Sequence, residues 1–343
     1  MSMQISVKDE NTNNEIKETM IGKKPEIIYD DTLKNKKSLQ FILILVCVFT
    51  IFISYYLKAQ KKEKYEYFFC FAAMGKGENL YARELVEYYQ KLGVDKFILA
   101  DNNSKNTEKL QDVLQKEIDD KIVDIIDKVG IKQDQTELYG EIYEKYKSKC
   151  NWISFFDFDE FLRIKNGTQN STVQNYLSNP KFDKCNVVLI NWLVYSDNEL
   201  INYDNRTLNE RFTSYIYENE DNRFVKSIIR GNLNNNPWSF GQTPHRPEYH
   251  FKTCNARGDR SKTFNDVIEK PILENVFLKH FVTKSAEEYI IKVKRGHPGN
   301  VVLYFDKRLD IFFRYNKVTK EKIQYFEESL NMTFPKYQYV YYI

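Results

Sequence analysis

Seventeen consecutive residues, Phe41 to Leu57, read FILILVCVFTIFISYYL and hold no charge, proline or glycine. At about 1.5 Å per helical residue, such a run is close to the shortest that crosses a bilayer core. Leu39 and Gln40 lengthen it, and Tyr55 and Tyr56 stand where interfacial aromatic side chains sit. A buried helix of a globular domain rarely lacks any polar face over this length. A secretory leader would start nearer Met1 and end in small residues, which Ser54-Tyr55-Tyr56-Leu57 does not supply. The run therefore predicts one transmembrane helix at 39–57. Residues 1–38 are polar and aperiodic, as in a disordered cytoplasmic tail. Residues 58–64 read as a short stem. No repeat and no Gly- or Pro-rich linker interrupts the rest, so 65–343 is expected to be one domain.

Orientation is not set by charge, because Lys34, Lys36 and Lys37 precede the run and Lys58, Lys61, Lys62 and Lys64 follow it. Sequons at Asn166, Asn170, Asn205 and Asn331 favour a lumenal domain. In that compartment one or two disulfides are expected among Cys70, Cys150, Cys185 and Cys254, with the pairing open. None of these cysteines has zinc-ligand spacing. The formal net charge is +3 and the two signs are interspersed, so no basic face for nucleic acid is expected.

From Tyr65 onward, strand and helix patterns alternate. Apolar runs at Tyr65–Ala73, Lys96–Ala100, Lys121–Ile126 and Trp152–Phe156 read as buried strands. Glu78–Leu92, a segment ending near Glu117, and Gln135–Lys149 read as helices. This alternation predicts an α/β domain with a mostly parallel sheet flanked by helices. Further strands are expected at Val187–Val194 and Arg223–Ile229. A helix is expected at Lys284–Lys294, with a capping box from Ser285 and Glu288 and a stop at Gly296. In such sheets, ligands bind at the carboxyl ends of the strands, where Asp101 and Asp157 fall.

The sharpest chemical signal is Phe155-Phe156-Asp157-Phe158-Asp159-Glu160-Phe161. Carboxylates crowded among aromatic residues repel one another unless a cation compensates. Oxygen ligands suit Mg²⁺ or Mn²⁺, and such an ion assists departure of a diphosphate. Solvated acids at a strand end are the plainer reading of the same residues.

The chain resembles glycosyltransferases of the GT-A fold, in the group around family 92 and its family 2-like relatives. Phe69-Cys70-Phe71-Ala72-Ala73-Met74-Gly75-Lys76-Gly77-Glu78 is similar to their first strand and its Lys-Asn-Glu motif, with Gly77 in place of Asn. Glu84, Leu92-Gly93-Val94, Asp101-Asn102-Asn103-Ser104 and the block from Trp152 to Leu162 follow in the same order. His280-Phe281-Val282-Thr283-Lys284-Ser285, with Glu288, Lys292, Arg295 and Gly296, is the longest match. The resemblance implies a membrane-anchored hexosyltransferase of the Golgi or endoplasmic reticulum, single-pass and type II. Its donor would be a nucleotide-sugar, UDP-galactose being the first choice, and its acceptor a glycan or glycoprotein.

The resemblance also implies roles. Glu78 and Asp101 would contact the nucleoside. Asp159 would ligate the metal, and Asp157 the ribose or a metal-bound water. His280 would complete the metal shell, with His245 as second choice. Lys226, Arg230 and Lys284 would reach phosphate. The inverting base would be Asp197, in Tyr195-Ser196-Asp197-Asn198-Glu199, where relatives carry glycines at two positions; Asp259 is the alternative. Two rival readings are an inactive glycan-binding relative and a phosphohydrolase of the haloacid dehalogenase type. The latter wants Thr or Val where this chain has Phe161.

Overall fold

All but the first two residues of Tyr67–Gly75 (β1) are buried, and they alternate between two cores. Phe69, Phe71 and Ala73 join one apolar cluster, and Cys70, Ala72 and Met74 join the other. That period of two is what a strand covered on both faces requires. In the computed structural model the described residues are 31–60, 65–166, 169–239, 243–247, 250–261, 266–295 and 305–331. The chain divides into two units, Met1–Glu63 and Lys64–Ile343.

The first unit contains α1, Asp31–Gln60, a single helix of 30 residues. It starts inside the expected tail and ends inside the expected stem; the rest of the tail lies outside the described residues. Its apolar side chains from Leu39 to Ile53 are exposed. Among the described residues no helix is long and apolar enough to cross a membrane. The expected span, 39–57, is helical throughout, with side chains described as far as Ser54.

In the second unit β1 is followed by α2 (Asn79–Lys91), β2 (Lys96–Asp101), α3 (Leu110–Val113), α4 (Gln115–Asp119) and β3 (Val123–Asp127). Next come α5 (Gln135–Tyr146), β4 (Cys150–Phe155), β5 (Glu160–Asn166), β6 (Gln169–Asn170) and α6 (Val173–Leu177). The remainder is β7 (Val187–Val194), α7 (Leu208–Arg211), β8 (Val225–Arg230), β9 (Thr253–Cys254), β10 (Val276–His280), α8 (Ala286–Lys294), α9 (Phe305–Tyr315) and α10 (Lys320–Leu330). The sheet order is β3-β2-β1-β4-β8-β7-β10-β5-β6, with β9 on β7.

The expected parallel sheet forms in the first half, where β3, β2, β1 and β4 run side by side. The second half is mixed, because β8 and β5 run against their neighbours. One edge therefore gathers the carboxyl ends of β1, β2, β4, β7 and β10 with the amino ends of β8 and β5. The register makes this explicit: Gly75 pairs with Asp101, Phe155 with Ser227, and His280 with both Val194 and Glu160.

Local chemistry fixes the helices that frame this edge. Asp134 caps α5 by accepting from the Thr136 and Glu137 amides. Ser285 and Glu288 form the expected capping box of α8; Gly296 lies outside the described residues. Disulfides join Cys70 to Cys150 and Cys185 to Cys254. Of the sequon asparagines, the side chains of Asn205 and Asn331 are described, and both are exposed. Those of Asn166 and Asn170 lie outside the described residues.

Candidate active site at one edge of the sheet

Asp157 and Asp159 follow β4 directly, at the gathered edge. Asp159 is buried, and three groups from the far end of the chain converge on it. Its Oδ2 accepts from Lys292 Nζ at 2.8 Å and Lys284 Nζ at 3.4 Å. Its Oδ1 lies 3.7 Å from His280 Nε2. Burial opposes its charge, yet Lys292 and Lys284 outweigh it and hold the carboxyl well below the usual range.

Asp157 is one third exposed. Its Oδ2 accepts from Lys226 Nζ at 2.6 Å and its Oδ1 from Gln135 Nε2 at 2.9 Å. Lys226 is fully buried, with Glu160 Oε1 3.6 Å away as its second carboxylate. Burial would discharge this lysine, but Asp157 and Glu160 raise its pKa instead. Glu160 has the opposite fate: burial pushes it up to about 8, against the pull of Lys226. Its Oε2 accepts the Asp157 amide at 2.8 Å, which fixes the turn carrying both aspartates.

Two histidines flank the pair. Burial, opposed by Asp159 and reinforced by Lys292, pushes His280 down to about 4, so its ring is neutral at pH 7. Its buried Nδ1 has no hydrogen-bond partner among the described residues. His245 is also pushed down to about 4, by burial and then by Lys226. Its Nδ1 lies 3.2 Å from the Val225 carbonyl. The Trp192 ring sits between them, 4.2 Å from His280 and 5.2 Å from His245, centroid to centroid.

Glu78 closes the site from the β1 side. It pairs with Arg295 at 2.5 Å and lies 3.9 Å from Lys284 Nζ. The Lys284 ammonium also lies 4.6 Å from the Tyr81 ring centroid. Lys284 has φ +56°, a left-handed backbone uncommon for a side chain of this kind. Gly77 has φ +65°, a conformation open to both glycine and the asparagine of the motif it resembles.

Asp157, Asp159, Lys226, His245, His280, Lys284 and Glu78 are thus brought together. Four other residues singled out by the sequence are engaged elsewhere. Asp101 sits at the same edge, but its carboxylate holds the local backbone, accepting from the Asn103 and Leu110 amides at 3.0 and 2.7 Å. Asp197 is buried against Lys322 of α10 at 2.5 Å, its side chain 2% exposed. Asp259 lies beyond β9, which pairs with the start of β7 at the opposite edge. Arg230 is at the far end of β8, donating to the Cys185 and Phe182 carbonyls beneath its stack on Trp152. Gln135 and Trp192 carried no signal in the sequence; Glu160 stands in the acidic motif and Lys292 in the block that begins at His280, but neither was given a role there.

Among the described residues no group of three His, Cys, Asp or Glu side chains is drawn together tightly enough to hold a metal. A pair does fit one. A neutral imidazole nitrogen and a carboxylate oxygen 3.7 Å apart are too distant for a hydrogen bond. Two ligands each about 2.1 Å from one ion would be separated by roughly 3–4 Å. Asp157 would join them only on leaving Lys226.

The chain matches the family model for glycosyltransferase family 92 over residues 65–334. Nearly all of the second unit is covered, and the chain belongs to that family. No curated protein matches it. Membership makes this a glycosyltransferase domain, a class that takes a nucleotide-sugar donor and a glycan acceptor. It also sets aside the phosphohydrolase reading, in which Asp157 would have to be a free nucleophile.

Proposed function

We propose that the protein is a metal-assisted hexosyltransferase, passing a hexose, galactose first among candidates, from a UDP-sugar to a glycan with inversion. The observation that carries this reading is the convergence of His280, Lys284 and Lys292 on Asp159. The diphosphate would lie over Asp159, with Lys284 and Lys292 donating to its oxygens. Asp159 and His280 would hold a Mn²⁺ or Mg²⁺ ion, with Asp157 as third ligand. When bound there, a divalent ion supplies neutralisation of the charge that develops on the leaving diphosphate. Lys226 keeps Asp157 ionised, and Glu160 keeps the Asp157–Asp159 turn in place. Glu78 aligns Arg295 and Lys284 beside the first strand.

The two disulfides support a lumenal domain, since such bonds persist in oxidising compartments. The run at 41–57 would then be the type II anchor in a Golgi or endoplasmic reticulum membrane.

The test uses full-length protein in detergent with UDP-galactose and other UDP- and GDP-sugars. Hydrolysis or transfer should need Mn²⁺ and stop in chelator. Asp159→Asn should lower turnover by about 100-fold or more, the size of a lost electrostatic contribution at a reacting centre. Full activity of that variant in chelator would sink the metal mechanism.

A further inference from the structure

We propose that the cavity between α2 and the β5–β10 pair is a second ligand site, taking an anionic sugar residue: a saccharide bearing a carboxylate, sulfate or phosphate. The cavity holds about 340 Å³, bounded by Tyr88, Lys91, Leu92, Arg163, Thr172 and Lys279 among others. Lys279 immediately precedes His280 on β10, and adjacent strand residues face opposite sides of a sheet. This is therefore not the crevice that holds the aspartates.

The argument rests on two cations that have no counter-ion among the described residues. Arg163 pairs across the strands with Phe277, and Lys279 with Phe161, which puts both cations on one face two residues apart. Both are half-buried. The Arg163 Nε is shielded from solvent and has no hydrogen-bond partner among the described residues. The Lys279 ammonium donates to Asn209 Oδ1 at 2.6 Å, a neutral group. Burial, and then the charge of Arg163, push Lys279 down to about 8. Glu84 is the nearby carboxylate, but it is committed elsewhere, accepting from the Leu208 amide at 2.9 Å and from Asn209. Among the described residues neither cation is ion-paired. Two like charges desolvated together are costly, and an entering anion relieves that cost.

The size and walls narrow the ligand. The space is larger than an inorganic oxyanion fills and within the range of small-molecule sites. Tyr88 and Leu92 offer an apolar wall beside the two cations, matching a sugar ring with one apolar face and one charged substituent. The saccharide part of the proposal rests on the glycosyltransferase reading; the anionic part does not.

The test is calorimetric titration of the full-length protein in detergent with glucuronate, galactose 6-sulfate, galactose and inorganic sulfate. Glucuronate and galactose 6-sulfate should bind saturably, and galactose about tenfold more weakly or not at all. Arg163→Met and Lys279→Met should each weaken the charged sugars by about tenfold or more, as expected for a lost charge-assisted hydrogen bond. UDP-sugar hydrolysis should be unchanged in Arg163→Met, so failure of the donor reaction and failure of this site are separable. The proposal is overturned if folded wild-type protein binds neither charged sugar, or binds galactose equally well. Undiminished binding in both variants overturns it too. Binding of sulfate alone overturns the saccharide assignment.

Discussion

Replacing Lys322 with Met removes one half of a pair that ties the loop after β7 to α10. The two charged atoms are 2.5 Å apart, with side chains 1% and 2% exposed. A carboxylate left buried without its cation costs about 3–5 kcal/mol. Two features of Asp197 put the expected loss near the lower end, about 3 kcal/mol. It still accepts from the Glu199 amide at 2.8 Å. Burial already raises its pKa against the pull of Lys322, so the orphaned group can escape part of the cost by taking a proton. The double variant Asp197→Asn/Lys322→Met removes both charges, while Asn keeps the shape of Asp and the acceptor for the Glu199 amide, and should recover to within about 1 kcal/mol of wild type. Urea unfolding followed by tryptophan fluorescence measures all three stabilities, and sugar transfer is assayed on the same samples. A folded double variant that retains transfer makes Asp197 an anchor of the C-terminal helices. A folded double variant slowed by about 100-fold restores it as the base. The reasoning fails if Lys322→Met costs under about 1 kcal/mol, or if the double variant is no more stable than the single.

Three further outcomes are expected. Glu199 holds φ +62° at a position where the resembled motif has glycine; Glu199→Gly should stabilise by about 1 kcal/mol, seen as a higher Tm with unchanged transfer. A Cβ on Gly231 would lie 2.0 Å from the Cys150 carbonyl and 2.5 Å from that of Lys147, so Gly231→Ala should cost about 3 kcal/mol or more, or prevent accumulation of folded protein. The Cys70–Cys150 bond spans 80 residues, and its removal in a Cys70→Ala/Cys150→Ala variant should lower unfolding free energy by about 4 kcal/mol; a loss under about 1 kcal/mol would show that the bond constrains little.

The first half of the domain was legible in the sequence because its signals are local. Continuous apolar runs give β1 to β4; in the second half a sequence-encoded cap gives α8 in the same local way. The antiparallel entries of β5 and β8 were not legible. Glu160–Asn166 alternates like any half-buried strand, and its partner β10 lies over a hundred residues away, so direction is decided by tertiary pairing. The site divides in the same way. Asp157, Asp159 and His280 carry motif signals, and Lys226, assigned to phosphate, turned out to hold Asp157. Asp197 was misplaced because its partner Lys322 belongs to a helix that the motif order does not reach. Gln135 and Trp192 have no local signature at all; one is an ordinary first-turn residue and the other an ordinary strand aromatic.

The position of the site's cations depends on a residue that touches none of the reacting groups. Glu288 accepts from Ser285 Oγ at 2.6 Å, from Tyr81 at 2.7 Å, and from both Arg211 terminal nitrogens at 2.7 and 2.9 Å. That network ties the start of α8 to α2 and α7. It also holds Lys284, one residue before the cap, in a backbone conformation that would otherwise relax. Lys292 reaches back along the same helix to the Val282 carbonyl and Asp159. In the free enzyme Asp159 is the counter-ion of both ammoniums. An arriving diphosphate would compete for cations already in position, so its charge is met without reorganisation of the helix. Asp159→Asn consequently has two effects, a lost ligand charge and two lysines without their acid. Lys292→Met separates them: added to Asp159→Asn, it should restore stability by relieving the repulsion while leaving transfer no higher than before. If the added substitution restored transfer as well, the lysines rather than the lost ligand charge would account for the defect.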